Sequence, residues 1–100
     1  MPLPPAKVEI RDDKAKLRYE AFVDGDLAAY ATYALQPGRI NFLHTRTESA
    51  FEGRGVGSQL VRTALDDARA RGLRVTPTCP FFATYIEDHP AYADLVDSRK

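Results

Sequence analysis

Two stretches of the chain alternate between two faces, with a run rich in Ala and Tyr between them, before the pattern changes to a helical period. Over residues 16–23, Leu17, Tyr19, Ala21 and Val23 fall on one face and Arg18, Glu20 and Phe22 on the other, the period of a half-buried strand. Asp24-Gly25-Asp26 reads as a hairpin turn into a second long strand over residues 27–35. Gln36-Pro37-Gly38-Arg39 is a further turn, followed by a strand over residues 40–47. In that strand Ile40, Phe42, His44 and Arg46 are expected to share one face, and Asn41, Leu43, Thr45 and Thr47 the other. Val8 to Ile10 begins a short first strand. The period then changes: Val56, Leu60, Val61, Ala64, Leu65 and Ala68 recur at helical spacing and predict a helix over residues 55–71, with Arg69 and Arg71 in its last turn and Gly72 as its stop.

A short strand from Leu73 to residue 76 or 78 follows. Pro80 suits the first position of a final helix whose apolar face is supplied by Phe81, Phe82, Tyr85 and Ile86, and His89-Pro90 ends it. Residues 91–96 add a further turn or two. The order predicts an α/β (α+β) fold in one domain, residues 1–100: an antiparallel meander, a right-handed β-α-β crossover that makes the strands around it parallel neighbours, and a C-terminal helix. The prolines at positions 2, 4 and 5 exclude a helix there, so residues 1–6 are expected to be a flexible lead-in.

Between the third strand and the long helix stands Phe51-Glu52-Gly53-Arg54-Gly55-Val56-Gly57-Ser58-Gln59-Leu60. Glycine lets a ligand approach the main chain, and the first amides of a helix are unpaired and carry partial positive charge. No carboxylate occurs from Gly53 to Leu65, and Arg54 adds a cation, so an external anion such as a phosphate would complete the site. A glycine-rich turn that binds nothing is the plain alternative. No Gly-Lys-Ser/Thr follows at Walker A spacing, and the dinucleotide fingerprint lacks its later glycine and its ribose-binding acid.

Composition narrows the class. The chain has 100 residues, is 44% hydrophobic and 28% charged, and balances 14 Lys+Arg against 14 Asp+Glu, which gives no global attraction to nucleic acid or membrane. Charge is nevertheless uneven locally. Arg54, Arg62, Arg69, Arg71 and Arg74 cluster on and just after the glycine-led helix, whereas residues 81–97 carry Glu87, Asp88, Asp94 and Asp97 and no Lys or Arg. A lone cysteine, Cys79, excludes an internal disulfide and suits a reducing compartment, and no apolar run reaches membrane-spanning length. These features predict a cytoplasmic protein with no nucleic-acid or membrane partner; a monomer or weak dimer without a metal is the accompanying expectation, which the sequence does not itself set.

Glu52 to Gly57 resembles the acyl-coenzyme A loop of the GCN5-related N-acetyltransferases, Gln/Arg-x-x-Gly-x-Gly/Ala. The likeness is closer to the small single-domain branch of that superfamily, in the run Gly53 to Val61 and in Cys79-Pro80-Phe81, Tyr85-Ile86, His89-Pro90 and Tyr92 to Val96. With His44-Thr45 it spans residues 40–96. The resemblance implies acetyl-CoA as co-substrate and an amine acceptor. It places the diphosphate on Gly53, Arg54, Gly55, Val56, Gly57, Ser58 and Gln59, and the pantetheine arm along Thr45, Arg46 and Thr47. Glu52 departs from the superfamily's Gln or Arg. The chain also lacks the helical pair between its first strands with which larger relatives build an acceptor pocket.

Acetyl transfer needs a neutral amine, a polarised carbonyl and a proton for the departing thiolate. Cys79, at a strand end and a helix N-terminus that favours thiolate, is the sharpest candidate, as nucleophile or as proton donor; a buried small hydrophobe is its plain alternative. Tyr85 is a candidate general acid by resemblance, with core packing as the alternative. His44 is a candidate proton relay because imidazole titrates near neutrality. Glu48 is a more distant candidate base, and His89 suits the helix C-terminal carbonyls. The functional expectation is an acetyl-CoA-dependent N-acetyltransferase; the alternative is a coenzyme A-binding regulatory or interaction module with little catalysis.

Overall fold

The computed structural model describes residues 8–96, so the lead-in and Asp97 lie outside the described residues. Five strands form one sheet in the order β1 (Val8–Asp13), β2 (Arg18–Val23), β3 (Asp26–Gln36), β4 (Arg39–Thr47) and β5 (Arg74–Pro77). The first four pair antiparallel, and β4–β5 is parallel across α1 (Val56–Ala70). Helix α2 (Pro80–Asp88) and a 3-10 segment (Pro90–Leu95) close the chain. The mixed sheet and its crossover agree with the sequence reading, although β1 runs further, to Asp13. Leu17 does not join its expected strand face: it sits in the 14–17 turn at φ 54° and is 45% exposed.

Helix α1 lays Val56, Leu60, Val61, Ala64, Leu65 and Ala68 on the sheet. Alanines 21, 29 and 31 of β2 and β3 are fully buried there, while Tyr19, Tyr33, Ile40 and Phe42 fill the space around them. On the opposite face of β2 and β3, Arg18 lies over the Tyr30 ring at 4.5 Å and bonds Glu20 at 2.7 Å, and Arg11 lies over Phe22 at 4.8 Å. These guanidinium groups shield aromatic rings and leave Glu20 buried but paired.

The expected side-chain alternation in β4 is overturned. Thr32 pairs with His44 but Tyr33 pairs with Phe42, so Leu43 is an extra residue, a β-bulge. Because side chains alternate with period two, one inserted residue exchanges the faces beyond it. Thr45 and Thr47 therefore join Ile40 and Phe42 on the α1 side, and His44 and Arg46 point the other way, with Thr32 and Tyr30 as cross-strand neighbours.

At the far end of α1, Tyr19 donates to Asp67 and Tyr33 to Asp12 at 2.5 Å, with Arg71 3.7 Å from Asp12 and 3.5 Å from Asp67. Burial, then the carboxylate bonds, push both phenols above the ordinary value of 10. The bond to Asp66 chiefly pushes Tyr92 up to about 12. The folded chain thus holds phenolic protons that the unfolded chain releases near pH 10. Stability is complete below that pH and falls as pH rises through the folded values. A urea midpoint followed from about pH 9 to pH 11 is expected to decline, and Tyr19→Phe to flatten the decline; an unchanged midpoint would contradict this network.

Candidate functional site

The parallel pairing of β4 with β5 ends at Phe42 and Pro77. Pro77 has no N–H to continue the ladder, and after one more bond, from Cys79 N–H to the Phe42 carbonyl at 2.8 Å, the chain turns into α2. Strand β4 runs on to Thr47, so residues 43–47 present a strand edge where β5 has turned away. Cys79 stands where the two strands diverge. It is 3% exposed, precedes Pro80 at the first position of α2, and its Sγ lies 3.3 Å from Thr45 Oγ1. The bulge at Leu43 is what aims Thr45 at it.

The glycine stretch lies beside this opening. Gly55 is the N-cap of α1 at φ 78°, a conformation that costs other residues about 1–2 kcal/mol, and it makes no side-chain cap. Its carbonyl takes the first helical bond, from Gln59 N–H at 3.1 Å, so the amides of Val56, Gly57 and Ser58 precede the intrahelical ladder. No acid occupies the first turn. A Cβ on Gly57 would come within 3.1 Å of the Phe81 ring and 3.2 Å of Thr47 Oγ1. A larger residue at that position would have to push the Phe81 ring or the Thr47 side chain aside. A cavity of about 260 Å³ opens here, lined by Thr47, Phe51, Glu52, Gly53, residues 55–58 and Phe81. Bare amides, helix polarity and this opening fit a diphosphate, and the free edge of β4 fits an amide-bearing arm.

The structure thus brings together Thr45, Thr47, Gly53, Gly55, Val56, Gly57, Ser58 and Cys79. Arg54 borders the loop, its guanidinium 5.9 Å from the Phe51 ring centre. Gln59 follows on the half-buried flank of α1. Arg46 lies on the other face of β4, paired with Glu48 at 3.5 Å, and His44 is exposed on that same face. The Tyr85 ring stacks on His89 at 3.9 Å and sits 6.1 Å from Tyr92, toward the 3-10 segment. His89 Nδ1 meets the Tyr85 carbonyl at 2.8 Å, as its place at a helix end suggested. Arg69 is bidentate to Asp94 at 2.9 and 3.0 Å, Arg71 joins Asp12 and Asp67, and Arg74 bonds the Asp94 carbonyl at 3.3 Å. Arg69 and Arg71 thus fasten the end of α1 to its surroundings, and Arg74 joins β5 to the 3-10 segment.

Phe81 was expected in the apolar core face of α2, yet it is 42% exposed, while its neighbour Phe82 is buried and stacks on Phe42 at 4.1 Å. Adjacent helical positions point about 100° apart, so one Phe fills the core and the other walls the cavity. Phe81 is the wall of the cavity that the sequence pattern had assigned to the core instead. The signal was the pair of adjacent phenylalanines directly after Cys79-Pro80.

The sheet's parallel pair thus opens over a glycine-led helix, with a cysteine at the fork. A family model for the GCN5-related N-acetyl-transferases matches residues 18–95, and the chain belongs to that family. Protein NATD1 of Xenopus tropicalis is 22% identical over 89 residues, covering 87% of this chain and 82% of that one. An NMR structure of a GCN5-like protein from Staphylococcus aureus superposes with a TM-score of 0.68 at 20% identity, over 98% of this chain and 94% of that one. The ribosomal-protein-S18-alanine N-acetyltransferase of Escherichia coli gives a TM-score of 0.56 at 18% identity, over 59% of this chain; the match spans only 39% of that longer protein. These structures share the fold. Among the described residues, no helix is long and apolar enough to cross a membrane.

Proposed function

We propose that this chain is an acetyl-CoA-dependent N-acetyltransferase acting on a primary amine. The observation that carries the proposal is the cradle at Gly57, where the first amides of α1, Thr47 and the Phe81 ring surround a cavity a single Cβ would invade, next to Cys79 at the fork of β4 and β5. Acetyl-CoA would supply an activated thioester carbonyl. The amides of residues 56–58 would hold its diphosphate, and the edge of β4 near Thr45 and Thr47 would align its arm. Cys79 Sγ, oriented by Thr45 Oγ1, would give its proton to the departing coenzyme A sulfur as the amine nitrogen bonds to the acetyl carbon and the C–S bond breaks. The ammonium proton is then lost from the product and the thiol is restored. Cys79 takes this role rather than Tyr85 or His44 because it alone sits at the fork; the other two face away from it.

Isothermal titration with coenzyme A tests the reading: heat saturating at one equivalent is expected, and no heat would sink it. Glu52, exposed at the rim of the cavity, opposes the bound anion. Glu52→Gln is therefore expected to tighten coenzyme A binding by about two- to fivefold, the scale of one exposed charge. Unchanged or weaker binding would show that the diphosphate does not pass near this carboxylate.

A further inference from the structure

A second cavity shares no lining residue with the first, and Cys79 lines neither of them. This second cavity has a volume of about 410 Å³ and is walled by Pro77 of β5, Ala83, Ile86 and Glu87 of α2, and Pro90, Ala93 and Val96 beyond. The residues around Cys79 divide between the two spaces: Phe81 walls the glycine-loop cavity, while Pro77 and Ala83 wall this one. The Cys79 carbonyl accepts from Ala83 N–H at 3.1 Å, so the apolar groove begins one helical turn from the proposed reacting thiol. Alanines at 83 and 93 leave room between α2 and the 3-10 segment. Glu87 is the only charged residue in the lining, and it makes no hydrogen bond or ion pair within the described residues. No Lys or Arg occurs in residues 80–96 to neutralise it. Eight residues along a helix place it about 12 Å from Cys79.

We infer that this groove is the acceptor site, and that it takes an aliphatic amine bearing a second cationic group. The hydrocarbon lies on Ala83, Ile86 and Ala93, the distant ammonium meets Glu87, and the reacting amine reaches Cys79. This inference rests on the acetyltransferase reading, but the groove is testable apart from it. The probes are 1,8-diaminooctane and octylamine, titrated into the ¹⁵N-labelled full chain. Both are expected to shift the amides of Ala83, Ile86 and Ala93 saturably, and the diamine to bind about three- to fivefold more tightly, as one exposed charge pair allows. Glu87→Gln is expected to remove that preference, and Ala83→Leu to weaken both amines while coenzyme A still shifts residues 54–59. Shifts confined elsewhere, no saturation, or a preference that survives Glu87→Gln would overturn the groove assignment. Amine binding here without N-acetyl product from a coenzyme A-competent protein would overturn its acceptor role. Failure of coenzyme A alone, with the amine shifts intact, would instead count against the acetyltransferase reading.

Discussion

Replacing Gly57 with valine is expected to cost about tenfold to a hundredfold in coenzyme A affinity while the protein stays folded. The new Cβ would stand 3.1 Å from two carbons of the Phe81 ring and 3.2 Å from Thr47 Oγ1, and the valine methyls would extend into the cavity these groups wall. Overpacking of this kind costs about 1–3 kcal/mol, and each 1.4 kcal/mol is about tenfold in Kd. Gly57 is helical and has no positive φ, so valine incurs no penalty of handedness, and the exposed Phe81 ring has space to turn. The overlap should therefore fall on the ligand more than on the fold. Gly57→Ala, with one added carbon, should lie between. Calorimetric Kd values beside thermal melts check this; a Gly57→Val protein that melts normally and binds coenzyme A like wild type would mean that the diphosphate sits elsewhere.

Cys79→Ala is expected to lower acetyl transfer by about a hundredfold or more, the usual scale of a positioned proton donor, with coenzyme A binding little changed. The side chain is buried, so its removal should also cost stability, on the order of 1 kcal/mol. Cys79→Ser, which keeps a protonated donor beside Thr45, should recover part of the rate. Free coenzyme A released with time, and the intact mass of the protein after incubation with acetyl-CoA, give the readouts. Proton donation predicts no stable acetyl adduct; an adduct on wild type that is lost in Cys79→Ala would make Cys79 the nucleophile. Full activity in Cys79→Ala would remove it from the chemistry and leave the thiol a packing group.

Most of the architecture, and the places of the glycine stretch and of Cys79 within it, were legible because their signals are local. Turn residues at 24–25 and 37–38, the helical stripe from Val56 to Ala68 and the proline after Cys79 each act over a few positions, and the structure places each where the pattern put it. The bulge at Leu43 was not legible, since nothing in an alternating strand marks the residue its partner will skip. That one residue decided that Thr45, rather than His44, would face Cys79. Phe81 was hidden for a different reason: two adjacent phenylalanines about 100° apart on a helix need not both be buried, and packing against Phe42 decides which one is. The arginines of the α1 C-terminal end were ambiguous because their partners, Asp12 and Asp94, lie far away in sequence.

A crystal structure with acetyl-CoA is the most direct test of the central claim, that the uncapped amides opening α1 hold a diphosphate beside the fork of β4 and β5. The account predicts phosphate oxygens within hydrogen-bonding distance of the N–H groups of residues 56–58, and the thioester at Cys79. A cofactor bound with its diphosphate away from those amides, or no bound cofactor at saturating concentration, would contradict it.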